Sequence, residues 1–413
     1  MKKLFYVTLV TCFLSACAQK TSNYNFESAS SVKIDESKVV LTRFPSVLTE
    51  IDDSTIAAIN SLRKLSIYNI YSGKNIANFT TEKIKFDSLI RETFQKKYEG
   101  RRQYIYDEAT AGGLSEGNSQ VLFFYYSDNT FYIYVNTLAQ VNYINDPAEL
   151  LKYSENEKIK ELKKESGDVN LQIMQYLEFV FVVDKNLRLQ KILPLYEKTQ
   201  LKNDKYSPFY QKGFAVSNSK LFVPIQKDDQ SFEKITSQLK WESNLNTLAV
   251  FDLKNDQKTD YRLGFKDIDF NDFSLHDYFS SAFVFRKNTN GLSFSNGKDI
   301  CEIESGKKLF SKKQLRTNEW IQSYQMDDNQ NLILVTYTLD KNANPTEFEK
   351  NYGLDSLSSI QLRTFNTQSM EWGNEKALPT SINLSMLVTH DKLIYFDKDE
   401  ENYYLKFIPY HEN

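Results

Sequence analysis

The sequence predicts an all-β fold, a β-propeller with seven blades favoured and six as the alternative, with helical insertions on one face. Three observations predict it. Apolar and polar residues alternate with period two in short runs bounded by turn residues, the pattern of half-buried strands. Two kinds of hairpin recur in alternation along the chain. The long stretches that interrupt this rhythm all fall at equivalent points of the repeat.

The first kind of hairpin is two strands around a small polar turn. Ala215 to Val223 aligns with Leu387 to Tyr395, and Asp52 to Ile56 and Asp327 to Leu334 are of the same type. Asp, Asn and Ser suit these turns because their short side chains bond the local backbone. The second kind is an alternating strand, a tight turn and another strand. Leu65 to Lys74 is the clearest copy; Leu248 to Asn255 and Ile360 to Thr367 repeat it, and Tyr132 to Thr137 and Phe179 to Asn186 are looser copies. One hairpin of each kind makes a four-stranded unit, and such units in series are a propeller signature. A ring of small sheets buries each sheet face against the next, which one very large sheet cannot do.

Units lie near residues 45–80, 102–145, 168–196, 213–263, 281–311, 319–378 and 383–410. The last lacks a fourth strand, and Val39 to Phe44 is a spare strand suited to completing it. Two β domains, or an open sandwich, are the rival arrangement. The insertions at 226–246 and 340–359 fall between second and third strands, and those at 81–101, 146–167 and 264–280 between units. Strands alternate in direction, so all five land on one face of the ring. Long loops in compact domains are usually functional or disordered, which makes that face the candidate binding face. Glu82 to Tyr98 and Pro147 to Glu165 read as helices within it, the second opened by Asp146 and Pro147 as cap and first helical residue.

The N-terminus sets the address. Lys2 and Lys3 precede an almost wholly apolar run from Leu4 to Phe13, the order of a secretory signal and too short to span a bilayer. It ends in Leu14-Ser15-Ala16-Cys17, which resembles the lipobox of bacterial lipoproteins. The resemblance implies cleavage before Cys17, lipid on its sulfur, and a membrane partner held through that lipid. Residues 1–16 are then the signal peptide, 17–37 a lipidated cysteine and flexible polar tether, and 38–413 the propeller. The whole is similar to the propeller lipoproteins of Bacteroidota, which implies an outer-membrane location, periplasmic or surface-facing.

Losing Lys2 and Lys3 moves the formal charge from -3 to -5, with both signs interspersed, so nothing resembles a basic field for nucleic acid. Of three cysteines, Cys12 is removed and Cys17 lipidated, so Cys301 is expected to lie buried on a strand without a disulfide.

Chemical motifs are weak. Gly113-Leu114-Ser115-Glu116-Gly117 has the spacing of a nucleophile elbow, but a strand follows Ser115 where a helix is required. Asp267 to Asp272 and Asp327 to Asn331 begin like calcium loops and lack the required Gly and Glu. His276, His390 and His411 have no close ligand spacing, so neither metal nor cofactor is implied; His390 aligns with the turn residue Asn218. The candidate binding residues are Arg101 and Arg102 for an anionic ligand, Trp241 and Trp320 for stacking, and Asp272, His276 and Asp277 for polar or acid–base contacts. The reading is a lipid-anchored binding or scaffold protein presenting the loop-rich face to a protein or glycan. The alternative is a propeller glycosidase or lyase with acidic residues at the axial mouth.

Overall fold

A computed structural model describes residues 24–34, 48–59, 65–79, 104–106, 120–144, 170–201, 213–225, 246–254, 257–265, 284–288, 291–340, 357–380, 386–399 and 402–412. Among them the regular structure is β apart from one 3-10 turn at Lys312–Gln314. The strands form six antiparallel sheets.

Two short strands, β1 (Tyr24–Phe26) and β2 (Ser30–Lys33), come first. The first sheet is β3 (Leu48–Asp52), β4 (Thr55–Ile59), β5 (Leu65–Asn69) and β6 (Asn75–Phe79). The second is β7 (Tyr104–Tyr106), β8 (Gln120–Ser127), β9 (Thr130–Ile144), β10 (Asn170–Asp184) and β11 (Leu189–Leu201). The third is β12 (Ala215–Ser217), β13 (Lys220–Ile225), β14 (Asn246–Asp252) and β15 (Gln257–Phe265). The fourth is β16 (Val284–Asn288), β17 (Gly291–Ser295), β18 (Ile300–Glu302) and β19 (Lys308–Phe310). The fifth is β20 (Glu319–Met326), β21 (Asn331–Leu339), β22 (Leu357–Asn366) and β23 (Glu371–Leu378). The sixth joins β24 (Met386–Val388), β25 (Lys392–Lys398) and β26 (Tyr403–Glu412) to β1 and β2.

The hairpin turns follow from their residues. Asp128-Asn129 and Asn218-Ser219 have positive φ at both central positions, which fits the primed two-residue turns whose twist matches that of paired strands. In the Asp327–Asn331 turn the Asp327 carboxylate accepts from the Asn331 backbone N–H at 2.7 Å, so this calcium-like run serves as a turn.

The apolar core lies between sheets. Ala57, Leu65 and Phe79 meet Phe131, Ile133 and Phe181 between the first and second sheets. Tyr134 and Phe214 pack at 6.2 Å between the second and third. Ala215, Phe222 and Val250 meet Phe285, Phe294 and Cys301 between the third and fourth. Phe310 and Ile300 meet Tyr324, Leu334 and Phe365 between the fourth and fifth. Val335, Tyr337 and Leu362 meet Val388, Leu393 and Ile408 between the fifth and sixth. Ile394, Phe396 and Leu405 meet Ile56, Ala58 and Tyr68 between the sixth and first, which closes the circle. Each fully buried side chain of this size contributes roughly 1.5–3 kcal/mol through its removal from water. Cys301 is buried on β18 and forms no disulfide among the described residues, as expected.

Ring closure rests on the N-terminal strands. Tyr24 pairs with Glu412 and Lys33 with Tyr404, so the chain start supplies the outer strand that the last unit lacks. The sequence expectation assigned residues 17–37 to a flexible tether. Within that stretch, 24–33 are strand residues and Tyr24 and Ile34 are buried, so the tether reading does not hold for them. The spare strand expected at Val39 to Phe44 lies outside the described residues. Gly73 locks the seam: it has positive φ, and a Cβ there would sit 2.1 Å from the Lys33 carbonyl oxygen.

The expected seven blades are corrected to six sheets. The units expected at 102–145 and 168–196 are one sheet, because β9 pairs with β10 from Thr130↔Asp184 to Ile144↔Asn170. Tyr132 to Thr137 is therefore a second strand of that sheet rather than the third strand of its own blade. The inner strand β8 reaches only to Gln120↔Asn136, while β9 and β10 run on together to Ile144 and Asn170, with β7 paired to Tyr143 through Val141. The helices expected at 82–98 and 147–165 lie outside the described residues.

Candidate functional site

In each sheet from the first to the fifth, the strands run inner to outer in chain order, and the inner strands β3, β8, β12, β16, β20 and β24 surround the axis. The hairpin turns within first–second and third–fourth strand pairs lie at one end of the ring, here called the lower end. Links between second and third strands, and between sheets, leave from the upper end. The expected insertions all depart from and return to strand ends at the upper end. The one at 146–167 does so as a link between the second and third strands of a single sheet, β9 to β10, rather than between blades.

The insertions themselves, and with them Arg101, Arg102, Trp241, Asp272, His276 and Asp277, lie outside the described residues, as do Cys17 and Ser115. Trp320 is described and is a packing residue. It is 8% exposed, stacks on Tyr337 at 5.8 Å, and has the Lys298 ammonium 3.7 Å above its ring. His390 occupies the exposed β24–β25 turn beside Asp391.

Two arginines stand out because both are set into strands among protein atoms. The first, Arg363 on β22, is fully answered. Its Nη1 donates to Glu319 Oε1 at 2.8 Å, Nε lies 3.6 Å from Glu375, and its guanidinium stacks 3.5 Å from the Trp372 ring. Glu319 also accepts from the Thr336 hydroxyl at 2.8 Å and the Arg316 backbone N–H at 2.7 Å. Burial draws the Arg363 guanidinium below its ordinary pKa, and Glu319 opposes that fall.

The second, Arg286 on β16, has no carboxylate partner among the described residues. Its Nε donates to the Tyr324 carbonyl at 3.1 Å, Nη1 to the Phe285 carbonyl at 3.0 Å and Nη2 to the Ser323 hydroxyl at 3.3 Å. Ser323 also accepts from the Val388 backbone N–H at 3.1 Å, which ties the fourth, fifth and sixth sheets together at their inner strands. Burial lowers the Arg286 pKa, and the opposing influences are the phenols Tyr324 and Tyr125. Protein surrounds Arg286, yet part of its surface stays open to solvent.

Tyr125 reaches this cluster from β8 in the second sheet and packs on the core between the third and fourth. The second sheet neighbours neither the fourth nor the fifth in the ring, so Tyr125, Arg286 and Tyr324 come together at the axis. Burial is the main cause of the rise in the Tyr125 pKa, pushed up to about 12, with Arg286 pulling the other way. The Ser293 hydroxyl donates to the Arg286 carbonyl at 3.3 Å and accepts from Asn288 Nδ2 at 3.3 Å. Ser293 and the Tyr324 phenol lie 3.0 Å apart, a contact in which either hydroxyl can be the donor. The nearest acidic influence on Tyr125, Asp128, is 80% exposed and lies 3.7 Å from Lys287 Nζ at the lower mouth.

None of the axial residues was singled out from sequence. The available signal was Arg286 placed between Phe285 and the turn on an inner strand, a charge where the other inner strands carry mostly apolar or neutral residues. Its partners lie 38 positions away on β20, which no local pattern reveals.

No family model and no curated protein matches the chain. Among solved structures, a member of the DUF4221 family from Bacteroides vulgatus is similar at 9% identity, over 95% of this chain and 100% of its own, with a TM-score of 0.46. The computationally designed Ika8 protein is similar at 9% identity over 92% and 99% of the two chains, with a TM-score of 0.34. The WD40 repeats of RRP9 are similar at 8% identity over 94% and 100%, with a TM-score of 0.40. At such scores the propeller assignment stands on the six sheets and their closed circle of cores.

Proposed function

We propose that this chain is a lipid-anchored cell-envelope binding or scaffold protein that holds the upper end of a propeller toward a protein or glycan partner. A propeller is compatible with such a role, and the single observation that carries the reading is an asymmetry. All the long connections join strands at the upper end, while the chain enters the ring at the lower end. Tyr24, the first described residue, donates its hydroxyl to Asp327 in a lower turn, and Asn329 of the same turn donates to Glu412 at 2.7 Å. Six residues lie between Cys17 and Tyr24, seven Cα–Cα steps with a reach of at most about 25 Å. Lipid on Cys17 would therefore keep the lower end beside the membrane and turn the upper end away from it.

Cys17→Ser is expected to move the protein from the membrane fraction to the soluble fraction. A photocrosslinker at Trp241, on an upper connection, is expected to trap a defined partner in intact cells, and one at Asn218, in a lower turn, to trap none. Membrane retention of Cys17→Ser, or equal trapping from both positions, would overturn the reading.

A further inference from the structure

We propose that the axial cluster is a binding site for a small carboxylate, gripped by Arg286 and Tyr125. The inference does not depend on the anchor or on the upper-end partner.

The Nε–H of Arg286 is used by the Tyr324 carbonyl. Each terminal nitrogen spends one N–H, on Phe285 and on Ser323. One N–H on each terminal nitrogen therefore has no acceptor among the described residues. Those two are left to meet the oxygens of a carboxylate, which a guanidinium can bind through two N–H groups at once. The three bonds already made hold the group in place before a ligand arrives.

A buried cation is normally balanced by an anion, as Glu319 balances Arg363 in the next sheet. Among the described residues Arg286 is bonded only by carbonyl and hydroxyl dipoles, which solvate a charge but do not neutralise it. The Tyr125 hydroxyl makes no hydrogen bond to another described residue, it stays partly open to solvent, and Arg286 acts on it electrostatically. A phenol is protonated at neutral pH, so it is a donor there. Tyr324 is held by Ser293 and forms the wall beside it.

The test is thermal unfolding of the intact mature chain in sodium acetate against sodium chloride at equal ionic strength, with inorganic phosphate as a separate arm. The expected result is a saturable rise of the midpoint with acetate, since a ligand that binds only the folded state stabilises it. Arg286→Gln should abolish the rise, and Tyr125→Phe, which keeps the ring and removes the hydroxyl, should weaken apparent affinity about tenfold. No acetate effect on the wild-type chain, or a rise that survives in Arg286→Gln, would overturn the proposal, as would a response to phosphate alone. Should Arg286→Gln fail to fold, Tyr125→Phe decides: unchanged affinity in that variant overturns the site.

Discussion

Arg363 and Arg286 sit one sheet apart in the same ring and are held by opposite means. Arg363 has a buried carboxylate at 2.8 Å, a second at 3.6 Å and an indole face at 3.5 Å. Arg286 has two carbonyls and a hydroxyl. Arg363 lies on the third strand of its sheet, where it helps fasten β20, β21 and β22 through Glu319 and Thr336. Arg286 lies on an inner strand, where the sheets converge on the axis, and it bonds β20 directly and β24 only through Ser323. The difference teaches that burial of a charge does not by itself say what the charge is for. A charge answered inside the protein is structural; one left unanswered beside an opening is available to a ligand.

The largest effect that would break this contrast is on Glu319. Glu319→Ala strands Arg363 in the interior and should cost about 3–5 kcal/mol, read as a lower midpoint of chemical denaturation with the slope unchanged. Pairing Glu319→Leu with Arg363→Met should recover much of that loss, because a buried pair replaced together leaves no charge uncompensated. A double variant as unstable as the two losses added together would show that the residues act independently.

Next in size is Arg286→Met. It frees two carbonyls but also removes an unpaired cation, so its loss should be smaller than that of Glu319→Ala by about 2 kcal/mol or more. Equal losses in the two variants would erase the distinction. Smallest is Tyr125→Phe, expected to fall within about 0.5 kcal/mol of the wild-type chain in denaturation, since the removed hydroxyl has no described partner. A larger change would place that hydroxyl in the fold rather than in the site.

What the sequence discloses of this molecule divides along the range of its interactions. The hairpins of the first, fourth, fifth and sixth sheets are local and readable: Leu65 to Lys74 and Leu387 to Tyr395 pair much as their alternation predicts. The miscount arises where alternation runs on. Tyr132 to Thr137 looks like the third strand of a blade, and only its pairing with Leu177 through Val182 shows that it is a second strand. The closing strand is missed for a different reason. Tyr24 to Lys33 is polar and short, and its burial comes from a partner at the far end of the chain, Tyr24 pairing with Glu412, 388 positions away. The axial site is the least legible, because its residues come from three sheets and its meaning lies in an absent countercharge. The burial of Cys301, by contrast, is legible from its place in a short strand pattern.

The most direct measurement is side-chain nitrogen–proton NMR of the arginines during titration with acetate at constant ionic strength, with Arg286→Gln and Arg363→Met used to assign the two signals. The Arg286 Nε signal should move saturably, while that of Arg363, already paired with Glu319, should stay where it is. A motionless Arg286 signal, or the two arginines moving together, would overturn the assignment of one charge to structure and the other to a ligand.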